Sequence, residues 1–312
     1  MFFRKAECFK IQLLKSTDGN ILDVKQYKKL HQILCDRITV FLEPTMIVAD
    51  PFLFIHDDIL YLFYEHKTFR SHGVIMMSAT RDLEEWSQPV KVLEEPFHLS
   101  YPWVFEDNGH IYMVPETGED KSIRLYEADC NDLTSFHLVK KLMEETEADK
   151  FTMSFADTSI YKKEDIYYLH TTVGDSGENQ LRLYYSKNLL GPYEEHGQSP
   201  IITSDKIGRN AGCLFECEGK LVRPAQDCVN GYGNNVHLLQ IEKMTTEEYK
   251  ETLIRENVLD TTEEFYKEGG HQFNVVNFRG TTLLATDAKE YHRFFFNRVW
   301  HKLNTSLGCR KP

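Results

Sequence analysis

The sequence lacks an apolar run long enough to cross a membrane as a helix, since none approaches the roughly 18 residues that a span requires. The first residues are also not followed by the apolar segment of a secretory signal, because Glu7, Lys10 and Lys15 interrupt that stretch. From these two absences we expect no membrane partner and a cytoplasmic location.

Positive charge is also scarce. The chain has 36 Lys and Arg against 48 Asp and Glu, which gives a formal net charge of −12 with histidine neutral. Binding to a nucleic-acid backbone or to an anionic membrane surface requires clustered cations, so this balance argues against both partners. A hydrophobic share of 41% and a charged share of 27% are typical of a folded globular protein.

Paired metal ligands and nucleotide-binding motifs are missing as well. The seven cysteines include no C-x-x-C pair, and Cys213 and Cys217 have no second pair at zinc spacing. The 13 histidines are dispersed, and G-x-G-x-x-G, G-x-x-x-x-G-K-[ST], H-E-x-x-H and G-x-S-x-G do not occur. We therefore expect no metal site and no cofactor, and cysteines that are reduced and mostly buried.

What the sequence has in plenty is aromatic residues and an internal repeat. It contains 20 Phe, 16 Tyr and 3 Trp, as in β-rich folds and carbohydrate-binding surfaces. Five segments of 17 residues each read as an apolar run, a short polar turn and a second apolar run: 49–65, 100–116, 156–172, 210–226 and 271–287. This pattern predicts β-hairpins. Their starts are 51, 56, 54 and 61 residues apart, which is typical of four-stranded propeller blades.

The sequence thus predicts an all-β fold, a single five-bladed β-propeller over residues 45–312. Residues 1–44 form an N-terminal segment, within which 9–14 supplies a strand that helps to close the last blade. Outer strands are predicted at 73–78, 90–93, 122–128, 135–141, 181–186, 236–241 and 293–300. The capping-box pattern that begins at Thr245 predicts one short helix to about Leu253.

Alignment of the repeats places equivalent residues in rings around the propeller axis. The second repeat position gives an opening ring of Asp50, Tyr101, Asp157, Ala211 and Gln272. The last repeat position gives a closing ring of Glu65, Glu116, Thr172, Gln226 and Asp287. Polar residues at both hairpin ends, with apolar interiors between them, indicate that one end of each hairpin faces a wet axial funnel.

Carboxylates in these rings are the candidate catalytic groups. Asp50 and Asp157 begin apolar strands, where a lone carboxylate is disfavoured, so they suit general acid–base work on a glycosidic bond. Alternatively, they cap turns. Glu116 follows Pro115 and is the candidate proton donor, or else it forms a salt bridge at the rim.

The remaining candidates would contact a substrate. His271 follows two glycines, and Arg209 and Arg223 flank the fourth repeat, where they would hold an anionic group or pair with protein acids. Aromatic side chains would stack on sugar faces or pack in the core. The full set of predicted binding residues is Glu65, Tyr101, Trp103, Arg209, Asn210, Arg223, Gln226, His271 and Asp287.

Two short motifs resemble glycoside hydrolase family 43, whose members are five-bladed propellers: Ala49-Asp50-Pro51 and Asp157-Thr158-Ser159. The resemblance implies that Asp50 is the general base and that Asp157 tunes the general acid. Family 43 places that acid, a glutamate, at the start of blade four. This chain has Ala211 at that ring position, so another acid must take the role or the chain is not a standard hydrolase.

Other segments resemble the N-terminal propeller domain of plant glucosamine inositolphosphorylceramide transferases and their bacterial relatives: 98–105, 223–227, Tyr232-Gly233 and Gly270-His271. Together the resemblances imply a glycan-processing protein, and we expect a glycoside hydrolase that acts in the axial funnel on a carbohydrate. The alternative is a non-catalytic glycan-binding module or a partner domain of a glycosyltransferase.

Overall fold

The computed structural model describes residues 2–16, 21–22, 24, 27–35, 44–129, 132–175 and 177–296. These residues form β-strands and connections, including a short 3-10 turn at Gly118–Asp120. The predicted all-β class is confirmed. No helix within the described ranges is long and apolar enough to cross a membrane.

An N-terminal pair of strands is followed along the chain by five groups, which are numbered from β3. The N-terminal pair is β1 (Phe2–Lys15) and β2 (Lys28–Ile33). The next group is β3 (Thr45–His56), β4 (Ile59–Thr68), β5 (Val74–Thr80) and β6 (Val90–Leu93). It is followed by β7 (Ser100–Asp107), β8 (His110–Glu116), β9 (Ser122–Asp129) and β10 (Asp132–Glu144).

The third group is β11 (Met153–Lys163), β12 (Ile166–Asp175), β13 (Glu178–Ser186), β14 (Glu194–Glu195) and β15 (Ile202–Thr203). The fourth is β16 (Arg209–Asn210), β17 (Phe215–Cys217), β18 (Lys220–Asp227), β19 (Asn235–Met244) and β20 (Tyr249–Arg255). The last strands are β21 (Phe273–Phe278) and β22 (Thr281–Phe296).

All five repeats are antiparallel hairpins, as the sequence predicts. The first joins β3 to β4, and its two turn residues Asp57 and Asp58 have φ of 47° and 61°. The second joins β7 to β8 through Asn108 and Gly109, with φ of 52° and 79°. Positive φ at both central residues defines the tight turn whose twist matches paired strands.

The N-terminal strand lies beside the last one. β1 pairs with β22 in antiparallel register along its whole length, from Phe2 opposite Phe296 to Lys15 opposite Leu283. On its other side β1 pairs with β2 and makes one parallel bridge, from Phe9 to Ile47 of β3. The predicted strand at 9–14 is therefore present, and it joins the two ends of the described chain in one sheet.

Apolar cores separate neighbouring groups of strands. One core packs β4 and β5 on β8 and β9, and the next packs β8 and β9 on β11 and β12. In a third core, side chains of β12 and β13 pack against those of β19. In a fourth, side chains of β18 and β19 pack against those of β21 and β22. In a fifth core, side chains of β1 and β22 pack against those of β3 and β4. Successive groups are thus held together mainly by buried aliphatic and aromatic side chains.

One local prediction is wrong, and another describes as a separate strand what is the end of a longer one. The expected helix at 245–253 is a turn followed by β20, because the Thr245 hydroxyl accepts the amides of Glu247 and Glu248 inside a hairpin turn. A capping hydroxyl satisfies the same amides in a turn as in a helix. The predicted outer strand at 293–300 is, as far as Phe296, the end of the unbroken β22, and residues 297–300 lie outside the described residues.

Candidate functional site

The opening ring has an unusual backbone that recurs in three groups of strands. Asp50, Tyr101 and Asp157 all have positive φ, of 51°, 47° and 51°. At each of them the pairing with the following strand shifts register, which marks a β-bulge. Positive φ is an outlier for a residue as bulky as Tyr101, and such strain concentrates at functional sites. In each group the bulge changes the direction of the side chain at the same repeat position, so the equivalent side chains stay equivalent in the structure.

Closing-ring side chains bond to the next group of strands. Asp287 Oδ2 accepts the amide of Asp50 at 3.2 Å, and Glu116 Oε2 accepts the amide of Asp157 at 3.2 Å. Thr172 Oγ1 accepts the amide of Asn210 at 3.1 Å. The bulges free the amides of Asp50 and Asp157 from the ladder, and buried amides need an acceptor. The polar rings therefore hold neighbouring groups of strands in register as well as line the site.

Asp50, His271 and Asp287 form a buried chain of charges. His271 Nδ1 lies 2.5 Å from Asp287 Oδ2, and its Nε2 lies 3.7 Å from Asp50 Oδ1. Burial alone would lower the pKa of His271, but Asp287 and then Asp50 raise it to about 9. The imidazole is therefore protonated at neutral pH, between two carboxyl groups.

Asp157, Arg209 and Glu116 form a second charged cluster. Arg209 Nε donates to Asp157 Oδ2 at 2.6 Å, and Gln226 Nε2 donates to the same oxygen at 3.3 Å. Burial and the charge of Asp157 raise the pKa of Glu116 to about 8, although Arg209 opposes the shift. Glu116 therefore carries a proton at pH 7.

Asp50 couples the two clusters. Its Oδ2 accepts the backbone amide of Tyr101 at 3.0 Å, and its side chain is buried. Burial raises the pKa of Asp50 to about 8; His271 lowers it, while Glu65, Asp287 and Asp157 raise it further. Besides burial, the charge of Asp157 raises the pKa of both Asp50 and Glu116, so the three predicted catalytic carboxyl groups lie close together, which is typical of functional clusters.

Tyr232 lies over both clusters at the protein surface. The Arg209 guanidinium stacks over the Tyr232 ring at 4.8 Å, and the ring meets His271 edge-on at 5.0 Å. Tyr232 is nevertheless 39% exposed. Its neighbours Gly231 and Gly233 have φ of 123° and 63°, so the loop adopts a backbone that favours glycine. An exposed aromatic ring beside buried charges suits a sugar-binding site.

Asn210 and Arg223 are both buried, and their side chains are hydrogen-bonded to other parts of the protein. Asn210 Nδ2 donates to the Asp157 carbonyl at 2.9 Å. Arg223 is fully buried and forms a two-pronged ion pair with Glu251, at 2.8 and 2.6 Å. It also donates to the Ile207 carbonyl at 2.9 Å. The Arg223 donors are thus occupied by the protein, so its contacts are those of a structural ion pair.

Two aromatic candidates differ in their surroundings. Tyr101 is fully buried, and its hydroxyl accepts the amide of Gly212 at 2.8 Å, which links the second group of strands to the fourth. Trp103 lines a largely apolar cavity of about 490 Å³ formed by the later halves of β3, β7 and β21. That cavity lies toward the hairpin turns, whereas Asp50, Asp157 and Glu116 lie at the opposite ends of the repeats.

Glu65 pairs with His98, which begins the 98–105 segment but was not among the predicted binding residues. His98 Nε2 lies 3.2 Å from Glu65 Oε1, and the pKa of His98 is raised because the hydrogen bond and charge of Glu65 outweigh burial. Gln272, in the opening ring, is fully buried, and neither end of its amide has a partner among the described residues. Its ring position was the only sequence signal, since a lone glutamine is unremarkable. A buried amide without partners favours a site that takes a polar ligand.

Three residues of the candidate site also have the ligand atoms and the spacing to coordinate a cation. Asp50, His271 and Asp287 offer ligand atoms within 4.8 Å of one another. The protonated His271 supplies a positive charge between the two carboxyl groups.

Comparison with known proteins places the chain in a family. Residues 31–282 match the family described as glucosamine inositolphosphorylceramide transferase 1, N-terminal. Over 243 residues the chain is 38% identical to the glucosamine inositolphosphorylceramide transferase 1 of Oryza sativa subsp. japonica. The aligned residues make up 75% of this chain and 31% of that protein. The chain thus spans about a third of that relative's length.

Solved glycoside hydrolases share the fold. The GH43 protein BlXynB of Bacillus licheniformis superposes with a TM-score of 0.55 at 19% identity, over 82% of this chain and 55% of that one. Zg3597, a family 117 glycoside hydrolase produced by Zobellia galactanivorans, superposes with a TM-score of 0.54 at 12% identity. The superposition covers 96% of this chain and 98% of that one. The chain therefore has a fold like that of the GH43 propellers, and it belongs to the family of the N-terminal part of glucosamine inositolphosphorylceramide transferase 1.

Proposed function

We propose that the chain is a five-bladed propeller that hydrolyses a glycosidic bond at the Asp50–Asp157–Glu116 cluster. The five blades would be the four groups from β3 to β20 and a last blade of β21, β22, β1 and β2. The five apolar cores between successive groups, and the β1–β22 pairing, support this count and its closure.

The half-buried, protonated Glu116 carries the proposal. A general acid must hold its proton at neutral pH, and burial beside Asp157 raises the pKa of Glu116 to about 8. Glu116 would protonate the leaving oxygen as the glycosidic C–O bond breaks. Asp157, fixed by Arg209, would keep the pKa of the acid high through its negative charge.

Asp50 would act as the general base. It would take a proton from the water that attacks the anomeric carbon, so that the sugar hydroxyl forms with inverted configuration. Such a route needs the two carboxyl groups about 6.5–9.5 Å apart to leave room for the water. His271 would stabilise the ionised form of Asp50, because its positive charge lowers the pKa of that group.

The sugar would bind between Tyr232 and the two charged clusters. The exposed ring offers a flat apolar face for a sugar ring, and the buried Gln272 amide offers a donor and an acceptor for hydroxyl groups. Similarity to a glucosamine inositolphosphorylceramide transferase and to solved glycoside hydrolases supports a carbohydrate ligand.

A test combines turnover with stereochemistry. Wild-type chain is incubated with pentose-, hexose- and glucosamine-containing glycosides, and the first product is followed by proton NMR. The proposal predicts turnover of at least one glycoside, with the product anomer opposite to the substrate anomer. Retention of configuration would contradict the assignment of Asp50 as a base.

A non-catalytic glycan-binding role is the second candidate, as a module or as the partner domain of a glycosyltransferase. The observation that favours it is the buried Ala211, which cannot titrate at the ring position where family 43 carries its acid. The matched region is also only 31% of a protein named as a transferase. Saturable binding across the same glycosides, without turnover of any of them, would favour this role.

A further inference from the structure

A second cluster of reactive side chains lies outside the central site, where β1, β22 and the end of β2 meet. Cys8 lies directly opposite Glu290 in the β1–β22 register, and Ala6 lies opposite His292 two residues along. Side chains two residues apart share a face of a strand, so Cys8, Glu290 and His292 point to one side. Cys35, just after β2, reaches the same side, where both thiols pack together.

The polar atoms of this cluster converge. Cys35 Sγ lies 2.8 Å from Glu290 Oε1 and 3.8 Å from His292 Nε2, and His292 Nε2 lies 2.9 Å from the same Glu290 oxygen. Cys8 and Cys35 are both buried and pack against each other. Lys10 holds the other oxygen of Glu290 at 3.1 Å, so Oε1 is turned toward the cluster.

We propose that Cys8, Cys35, Glu290 and His292 form a structural site for a zinc ion. Three of them, Cys35, Glu290 and His292, offer ligand atoms that all lie within 4.8 Å of one another. Two thiolates, an imidazole and a carboxylate are a donor set that suits a four-coordinate, borderline-soft cation such as Zn²⁺. Mg²⁺ and Ca²⁺ prefer all-oxygen sites, so the thiols select against them.

The distances suit a tetrahedral ion after a small adjustment. Zn–S bonds of about 2.3 Å and Zn–N bonds of about 2.1 Å place ligand atoms roughly 3.6 Å apart. The 3.8 Å between Cys35 Sγ and His292 Nε2 is close to that spacing. The contacts of Glu290 Oε1 are shorter, at 2.8 and 2.9 Å, so this carboxylate would withdraw by less than about 1 Å on metal binding.

The site would fasten the N-terminal strands to the last strand. Cys8 is on β1, Cys35 follows β2, and Glu290 and His292 are on β22, so one ion would join all three segments. Cys8, Glu290 and His292 lie outside residues 31–282, the part of the chain that matches the family. The proposed site is therefore a feature of this chain that the family match does not cover.

Zinc affinity can be measured directly on the reduced full-length chain. Metal is stripped with a chelator, and Zn²⁺ is titrated in competition with a chromophoric indicator. We expect one equivalent to bind, and we expect the midpoint of thermal unfolding to rise with zinc. Cys35→Ser and His292→Gln should each weaken zinc binding at least about 100-fold, while Cys217→Ser, at a buried thiol elsewhere, should leave it unchanged.

Cobalt provides a second readout that does not depend on the variants. Co²⁺ bound to the wild-type chain should give the intense thiolate-to-metal absorption and visible bands of a tetrahedral site. The proposal is overturned if the wild-type chain binds no stoichiometric zinc, or if its cobalt form lacks the thiolate band. Zinc binding that persists in both Cys35→Ser and His292→Gln, or a disulfide between Cys8 and Cys35 in the isolated chain, would also overturn it.

Discussion

The carboxylate of Asp287 accepts the backbone amide of Asp50 at 3.2 Å and lies 2.5 Å from Nδ1 of His271. One side chain thus links β22, the last strand, to β3, the first strand of the first repeat. Asp287 also accepts the amides of His271 and Gln272, at 2.8 and 3.1 Å. The residue that links the last strand to the first repeat is therefore also the one that positions the candidate base.

Loss of Asp287 should be costly to stability. Asp287→Ala removes the acceptor for three buried amides and leaves the His271 cation without its nearest partner. Breaking a buried ion pair in this way costs about 3–5 kcal/mol in the free energy of unfolding. Urea denaturation followed by tryptophan fluorescence measures the loss. Glu84→Ala, at an exposed acid, is the control and should change stability by less than about 0.5 kcal/mol; equal stability of the two variants would disprove the linking role of Asp287.

The proton-donor role of Glu116 is separable from substrate binding. Glu116→Gln keeps an oxygen that can accept the Asp157 amide but cannot donate a proton as an acid. Hydrolysis of glycosides with poor leaving groups should fall about 100-fold or more, while activated aryl glycosides, which leave without protonation, should keep most of their rate. Initial rates on both substrate types give the answer. An equal effect on both types would remove Glu116 from the role and turn attention to Glu65 or Asp287.

The pH profile should be alkaline and narrow. Asp50 must be ionised to act as a base, and its pKa is raised to about 8, so turnover falls as pH drops below that value. Glu116 must be protonated to act as an acid, and its pKa is also raised to about 8, so turnover falls again at higher pH. A bell-shaped dependence of kcat/KM centred near pH 8 is expected. A plateau from pH 4 to 7 would contradict these assignments.

Tyr232 should contribute to binding and not to folding. Tyr232→Ala removes an exposed ring that stacks on Arg209. Loss of one aromatic contact is worth about 0.5–1.5 kcal/mol, a several-fold weaker affinity for the glycan. Titration calorimetry with the best ligand measures this change. Tyr291→Ala, at a tyrosine with similar exposure, should bind as wild type does. Equal affinity of both variants would place the sugar away from Tyr232.

The hairpins and their ring positions were predictable from sequence because each repeat pairs with itself locally. The turn of Asp57 and Asp58 and the ring positions of Asp50 and Asp157 follow from a 17-residue pattern. A repeat alignment also predicts that Glu116 and Asp287 are equivalent. It does not reveal that each accepts an amide of the next group of strands, because that contact depends on a bulge.

Features built from distant segments were missed for the same reason. The His98–Glu65 pair and the Cys8–Cys35–Glu290–His292 cluster each join residues with no fixed spacing in the sequence. Arg223 was a candidate ligand contact because it flanks a repeat, but its partner Glu251 lies on a strand that the sequence predicted as a helix. Because the segment of Glu251 was predicted as a helix, its ion pair with Arg223 was not predicted.

The most direct test of a catalytic central cluster is the rate of glycoside hydrolysis by Asp50→Asn compared with wild type. Asp107→Asn, at a largely buried aspartate at the opposite end of a hairpin, is the matched control. We predict that Asp50→Asn loses about 100- to 10,000-fold in kcat while it still binds the glycan, and that Asp107→Asn retains wild-type turnover. Turnover by Asp50→Asn at the wild-type rate, or no turnover of any glycoside by the wild-type chain, would contradict catalysis at this cluster.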